Sequence, residues 1–370
     1  MKKRLIALLF ALSLLLTALP PAQADDKVLI SSLEELKQYL RIHALSLSET
    51  IEFSYVAELD EAADPSGRLV DLLFNNGIAN YDVKHNKKTR AVRLSDIVYR
   101  SGFRIARLWR AGLTGDLTED ERDTLLIAQN IAREALSLSN TLLETERIIH
   151  DAICRAAAYE QVSGSKMATH DTAVGALKYG RAECDGYADA FYLIGTLAGL
   201  DVDYQYGDVI NPRSGKSGPH LWNKVRIGNS WYHLDMTNND LNYSKDSRIC
   251  SYLCFNLGSG MMHSYRWEEE LSFHEAAVNN NWNVYFYTCG LEGFGAYFES
   301  LEDAARYAVN LWKAGAYGVH VMVKAGPDKD ASLFNKELKR QLSETDFRSA
   351  WLTWTGNLSE YICFDVLFTR

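Results

Sequence analysis

Positive charge, cysteine and long apolar runs are all in short supply in this chain. Of its 370 residues, 39 are lysine or arginine and 48 are aspartate or glutamate, a formal net charge of −9. Such an acidic balance makes nucleic acid a poor partner, because binding to phosphates rests on clustered positive charge. Beyond the amino terminus no segment approaches the ~20 consecutive apolar residues of a membrane-spanning helix, so no stable span is expected in the mature chain. No low-complexity tract interrupts the sequence. The six cysteines, at positions 154, 184, 250, 254, 289 and 363, do not make a dense disulfide framework, although Cys250 and Cys254 are close enough for a local bridge. That pair lacks the spacing of a zinc knuckle and has no second pair to join it. His274-Glu-Ala-Ala-Val278 lacks the second histidine of a metalloprotease helix, so neither a metal nor any other cofactor is expected.

What is present begins at the amino terminus. Lys2-Lys3-Arg4, the apolar run Leu5–Leu16 and Ala22-Gln23-Ala24 ahead of Asp25 have the three-part layout of a secretory signal peptide over residues 1–24. The mature protein is therefore expected to be soluble and secreted or extracytoplasmic, at the cell envelope, with a layout that suits a bacterium. An uncleaved amino-terminal anchor is the alternative. Cleavage removes three basic residues and no acidic ones, leaving 36 against 48 and a net charge of −12. The remaining length suits two or three domains.

The chemistry-bearing residues lie near the middle. Gly180-Arg-Ala-Glu-Cys184-Asp-Gly-Tyr187 leads into apolar positions at Tyr187, Phe191, Ile194, Leu197 and Ala198, a 3.6-residue period that Gly199 stops. Cys184 falls in or just before the first turn, where unpaired N–H groups and the positive dipole end favour a thiolate and can receive an oxyanion. After the loop Asn211–Pro219, two alternating segments flank Gly228-Asn229, which suits a two-residue turn and predicts a β-hairpin. With Ile227 opposite Ser230, Trp222 faces Asp235, and Asp235 lies diagonal to His220 on one sheet face. A three-residue loop would turn Asp235 to the opposite face. Thiol, imidazole and carboxylate are the three parts of an activated sulfur nucleophile. Each residue taken singly also has a plainer reading: a buried thiol, a structural strand histidine, and a turn or capping aspartate.

The Cys-x-Gly-Tyr-Ala, His-x-Trp-Asn and Trp-Tyr-x-x-Asp segments, with the run-in Ile149-His150-Asp151, resemble the transglutaminase-like superfamily over roughly residues 145 to 240. The resemblance implies an α+β core of the papain-like kind, a nucleophile helix packed on an antiparallel sheet. It also implies Cys184 as nucleophile, His220 as its base and Asp235 as the residue that orients the ring. Met236-Thr-Asn-Asn-Asp240 departs from the family, many of whose members carry a tryptophan and paired acids there. Tyr187 and Trp222 are the expected supporting walls. For the oxyanion the backbone N–H of Cys184 is the nominated donor, with Tyr159 and His170 as undecided side-chain candidates.

Around the core, residues 25–116 and 291–370 read as two small α/β modules flanking a catalytic unit at 117–290. Ser32-Leu-Glu-Glu35 and Ser300-Leu-Glu-Asp303 each open a helix, followed by strands at Ile51–Val56 and Val319–Val323. Second helices are expected near Arg68–Phe74 and Asn335–Leu342, and closing strands at Phe103–Leu108 and Tyr361–Phe368. A helix from about Leu117 to Leu136 and another over Leu143–Tyr159 lead into the core. Trp282-Asn-Val-Tyr285-Phe286-Tyr287 alternates like a core strand. The expected activity is acyl transfer or hydrolysis at amide or peptide carbonyls through a thioester, on protein or peptide substrates, cell-wall peptides among them. A cysteine peptidase and a non-catalytic interaction protein on a degenerate core are the alternatives. The letters do not fix the oligomeric state.

Overall fold

The computed structural model describes residues 28–161, 167–210, 216–240, 250–264, 267–269, 272–279, 281–284, 296–316, 318–326, 329–342, 351–358 and 361–368. The leader segment 1–24 and Tyr285-Phe286-Tyr287 lie outside the described residues, while Trp282, Asn283 and Val284 just before them form no strand.

Among the described residues there are three four-stranded sheets, each with helices against it, and one two-stranded sheet. The first is built from β1 (Leu29–Ile30), α1 (Leu33–Leu45), β2 (Ile51–Tyr55), α2 (Leu69–Asn75), β3 (Ile78–Asn86) and β4 (Ala91–Tyr99), in sheet order β1-β2-β4-β3. Ser32 starts α1 by accepting from the Glu35 N–H, and Glu35 reaches back to Ser31. Leu36, Leu40 and Ala44, one turn apart, are the face that α1 buries. In β2, Ile51, Phe53 and Tyr55 point inward in alternation.

One expectation for this region fails. Phe103–Leu108 is not a strand but the middle of α3 (Ser101–Ala111), which Gly112 ends in a left-handed conformation at φ +72°. Arg104, Arg107 and Arg110 recur every third residue, a helical spacing hidden by the local alternation Phe-Arg-Ile. The strands that complete the sheet are the β3–β4 hairpin, which the sequence reading did not find.

The central region follows the predicted order more closely. Thr118 and Glu121 close a capping box at the start of α4 (Glu119–Leu138). The next helix, α5 (Leu142–Ala156), stops short of Tyr159, which lies instead in β5 (Ala158–Tyr159). Then come α6 (Ala173–Lys178), β6 (Arg181–Ala182), α7 (Cys184–Leu197), β7 (Val202–Ile210), β8 (Ser217–Ile227), β9 (Ser230–Leu234), α8 (Met236–Asn239) and β10 (Trp267–Glu269). The antiparallel sheet runs β10-β7-β8-β9. This is the mixed helix-and-sheet core, with a helix opened by Cys184, that the resemblance implies. The last three residues of the expected Asn211–Pro219 loop belong to β8, which begins at Ser217, and residues 211–215 lie outside the described residues.

The third sheet comprises β11 (Ala296–Phe298), α9 (Leu301–Lys313), β12 (Gly318–Lys324), α10 (Ala331–Gln341), β13 (Trp351–Leu358) and β14 (Tyr361–Phe368), ordered β11-β12-β14-β13. It shares with the first sheet both the succession strand, helix, strand, helix, strand, strand and the sheet order. In each, the first two strands are parallel and the rest antiparallel.

Glu146 on α5 is wholly buried, with one carboxylate oxygen accepting from Asn256 Nδ2 at 2.8 Å and the other without a partner. Burial pushes its pKa up from 4.5 to about 8 against the pull of Asn256. The folded chain thus keeps a proton that the unfolded chain releases. Stability is full below pH 4.5, falls as pH rises toward about 8, and then levels. We expect Glu146→Gln to remove up to about 1.4 kcal/mol of loss per pH unit in that window. Thermal midpoints should be similar at the acid end, with the variant more stable at the alkaline end; parallel curves for the two proteins would contradict this assignment.

Candidate active site

The hairpin register is the one the turn dictates. Ile227 pairs with Ser230 and Asn223 with Leu234, and Gly228 takes φ +63° at the first central position. His220, on β8, and Asp235, just past β9, are brought together: His220 Nε2 lies 2.8 Å from Asp235 Oδ2, both buried. Asp235 also caps α8, accepting from the Asn238 backbone at 3.2 Å and its side chain at 2.7 Å, so capping and orientation belong to the same carboxylate. The Asp235 N–H donates to the Cys254 carbonyl at 2.9 Å.

Cys184 opens α7 and is the half-buried exception among the described cysteines, the others being buried. Its sulfur hydrogen-bonds the His220 ring. Since Nε2 is engaged by Asp235, the other ring nitrogen is the one available to the thiol. Burial pulls the His220 pKa down, but the Asp235 charge and hydrogen bond, together with Cys184, outweigh it and hold the pKa well above 6.5. Burial likewise works to raise the Asp235 carboxyl, and the facing His220 and Asn238 overcome it and keep the pKa low. The arrangement therefore favours a charged ring clamped by a charged carboxylate.

Trp222 stacks on His220 with ring centroids 5.7 Å apart and fixes its own indole N–H on His233 Nδ1 at 2.9 Å. It thus lies against the imidazole. Tyr187 is elsewhere: its hydroxyl is buried behind α7 and donates to Asp240, anchoring the segment that follows Asp235. Of the two side-chain oxyanion candidates, Tyr159 stands nearer in effect. It pairs with Ala182 across the parallel β5–β6 bridge, two residues before Cys184, and after burial the Cys184 charge is the main cause raising its pKa. His170 is buried, 4.0 Å from Glu160, and its carbonyl accepts from the Glu183 N–H.

Three neighbours of Cys184 escape sequence reasoning. Asp185 Oδ1 lies 3.5 Å from the sulfur, and its other oxygen pairs at 2.7 Å with Arg100, a buried guanidinium. This ion pair offsets the charge a carboxylate would otherwise set against a thiolate. Tyr206 on β7 has its pKa pushed up to about 12, by burial first and then by the charges of Asp208, Asp71, Asp185 and Cys184 in that order. Arg100 and Tyr206 come from segments far from the motif, so no spacing rule finds them. Asp185 lies within the motif, next to Cys184, but its side-chain type there points to no role by itself.

The sign of the His220 shift sets an expectation. The ring should keep its second proton well above the ~6.5 of a free histidine, and Asp235→Asn should bring the midpoint back down. Imidazole proton shifts followed against pH check both, and an unchanged midpoint in the variant would refute the coupling.

Residues 129–236 match the family model described as the transglutaminase-like superfamily, a stretch that contains Cys184, His220 and Asp235. A search of curated proteins returns no match. Among solved structures the chain is similar to a TGase (11% identity, TM-score 0.30, covering 59% of this chain and 61% of that one). It is also similar to a candidate cysteine protease from Cytophaga hutchinsonii (15% identity, TM-score 0.25, 43% of this chain and 61% of that one). A candidate protease from Parabacteroides distasonis is a third neighbour (8% identity, TM-score 0.25, 87% of this chain and 66% of that one). The chain thus spans less than two thirds of the length of each of these neighbours. By the match over residues 129–236, this chain carries a transglutaminase-like domain.

Proposed function

We propose that this protein is an exported cysteine enzyme that performs acyl transfer or hydrolysis at amide or peptide carbonyls through a thioester on Cys184. The observation that supports this reading most is the thiol at the start of α7 hydrogen-bonded to His220, which is itself 2.8 Å from the buried Asp235. The Cys184 thiolate attacks the carbonyl carbon and the bond to nitrogen breaks. His220 gives its proton to the leaving amine, and the acyl group stays on sulfur. An incoming amine or water then loses a proton to His220 as it displaces the thiolate. Asp235 keeps the ring oriented and its charged form stabilised throughout.

The developing oxyanion is received by the Cys184 backbone N–H, which at the first helical position has no intrahelical acceptor. The Tyr159 hydroxyl is assigned as the second donor, because the β5–β6 pairing sets Tyr159 opposite Ala182, two residues before Cys184. Protein or peptide substrates, cell-wall peptides among them, suit the reaction and the export that residues 1–24 imply. That export predicts a mature chain whose amino terminus is Asp25 when the protein is isolated from its native cell; an intact Met1 there would overturn it.

A peptide library incubated with the protein, with and without a primary amine, and read by mass spectrometry tests the chemistry. Incorporated amine means transferase, and added water alone means hydrolase. Cys184→Ala should abolish turnover, and Tyr159→Phe should lower kcat by roughly a hundredfold with KM little changed. Iodoacetamide should label Cys184 ahead of the buried cysteines. Turnover undiminished in Cys184→Ala would sink the proposal in favour of a non-catalytic role for this thiol.

A further inference from the structure

The sequence offers no zinc spacing, yet folding gathers two of the cysteines it left without a role. We propose that His150, Cys154 and Cys250 form a structural binding site for a zinc(II) ion, distinct from the Cys184 centre. One ring nitrogen of His150 and the two sulfurs lie within 4.8 Å of one another, and all three residues are buried. The Cys250–Cys254 bridge that the sequence allowed is not formed.

Each ligand is set by its own element. His150 and Cys154 are one turn apart on α5, so their side chains leave the same face. Cys250 enters with the segment after α8, where the Ser251 N–H is fixed to the Asn239 carbonyl at 2.8 Å. His150 Nδ1 lies 2.9 Å from Asp151 Oδ1, and Asp151 in turn accepts from the Tyr252 hydroxyl at 2.7 Å. That carboxylate makes Nδ1 the protonated nitrogen. Nε2, with its lone pair, is left buried and without a hydrogen-bond partner.

A buried, unpartnered imidazole nitrogen whose opposite N–H is held by a carboxylate is the form in which histidine binds metals. Beside two thiols it makes a sulfur and nitrogen donor set that suits zinc and disfavours magnesium or calcium. A tetrahedral zinc would place such donors about 3.5 to 3.8 Å apart, inside the observed limit. Asp240, which accepts from the Tyr187 hydroxyl, is near enough for its charge to act on Cys154. Binding converts both thiols to thiolates and releases their protons, so affinity falls as pH falls. The ion would clamp α5, which packs behind α7, to the chain that leaves Asp235.

The test uses the mature chain, reduced, stripped by a chelator and kept under argon. It is titrated with zinc chloride against a chromophoric chelator and separately with cobalt(II). We expect one zinc per chain, and in the cobalt form the intense thiolate-to-metal absorption of a tetrahedral site. Cys250→Ser and His150→Gln should each weaken zinc binding by about a hundredfold or more, while Cys184→Ala leaves it unchanged. The cobalt spectrum of the unmutated chain keeps the test decisive if a variant does not fold. Absence of both zinc uptake and thiolate absorption in the unmutated chain would overturn the proposal. So would a Cys154–Cys250 disulfide in the isolated protein whose reduction yields no uptake, or equal uptake by Cys250→Ser.

Discussion

The geometry of the site depends on one buried carboxylate that takes no part in the chemistry. Asp189, little more than a turn along α7 from Cys184, accepts from the Gly102 N–H at 2.8 Å and the Phe103 N–H at 3.3 Å, both at the start of α3. It also accepts from the Ala173 N–H at 2.8 Å at the start of α6, and from the Tyr204 hydroxyl on β7 at 2.6 Å. Two helix starts, each with unpaired N–H groups and a positive dipole end, are thus aimed at one anion inside the core. Gly102 has to be glycine for this approach, because a Cβ there would lie 2.4 Å from the Asp189 carbonyl oxygen. Replacing the carboxylate would leave several buried donors unpaired at once, which costs far more than the bonds contribute net. The position and tilt of α7, and so of its first residue, follow from that arrangement.

Charge balance carries the same constraint to the sulfur. Arg100 is fully buried, paired with Asp185 and within the field of Asp189, so the guanidinium sits between two carboxylates of one helix. Burial alone would lower its pKa, and the two acids keep it charged. An isolated buried cation would be prohibitively costly, whereas a chain of alternating charges with fixed hydrogen bonds specifies one orientation of the helices that carry it. Asp185 is therefore best understood as the near end of a structural network. Its pairing with Arg100 offsets its charge beside the Cys184 sulfur.

What the sequence disclosed was local, and what it concealed was not. The turn at Gly228-Asn229 fixes a register, the register fixes the diagonal of His220 and Asp235, and the observed 2.8 Å contact follows from parity alone. The cap residues Ser32, Thr118 and Ser300 start the helices they should, because each bond closes within four residues. Arg100 beside Asp185 is a contact between distant segments, which no periodicity encodes. Phe103–Leu108 was misread because alternation over six residues also fits a helix whose arginines recur every third position. The resemblance between the two ends of the chain was legible only in its first half. The order β1-β2-β4-β3 of one sheet is repeated by the other, but the closing hairpins carry no common motif.

One segment, 250–256, joins all of these parts, and its contacts decide how a second histidine–aspartate pair should be read. His320 Nδ1 lies 2.7 Å from Asp365, and Ser251 donates to the other oxygen of that carboxylate. The three residue types match a serine hydrolase, but the order is wrong. The aspartate sits between serine and histidine, so the serine hydroxyl is directed at Asp365 and not at the imidazole. The cluster is instead a polar joint between β12, β14 and the segment. Tyr252 extends it by packing edge-on against His320 with centroids 5.0 Å apart while its hydroxyl holds Asp151. The same seven residues send Cys250 toward Cys154, the Cys254 carbonyl to the Asp235 N–H, and Asn256 to Glu146. Asp235 is thus fixed from two directions, by the hairpin that sets its register and by a strap held to both α5 and the C-terminal sheet. Loosening the strap would act on the imidazole through its aspartate, without any change in the residues that touch a substrate.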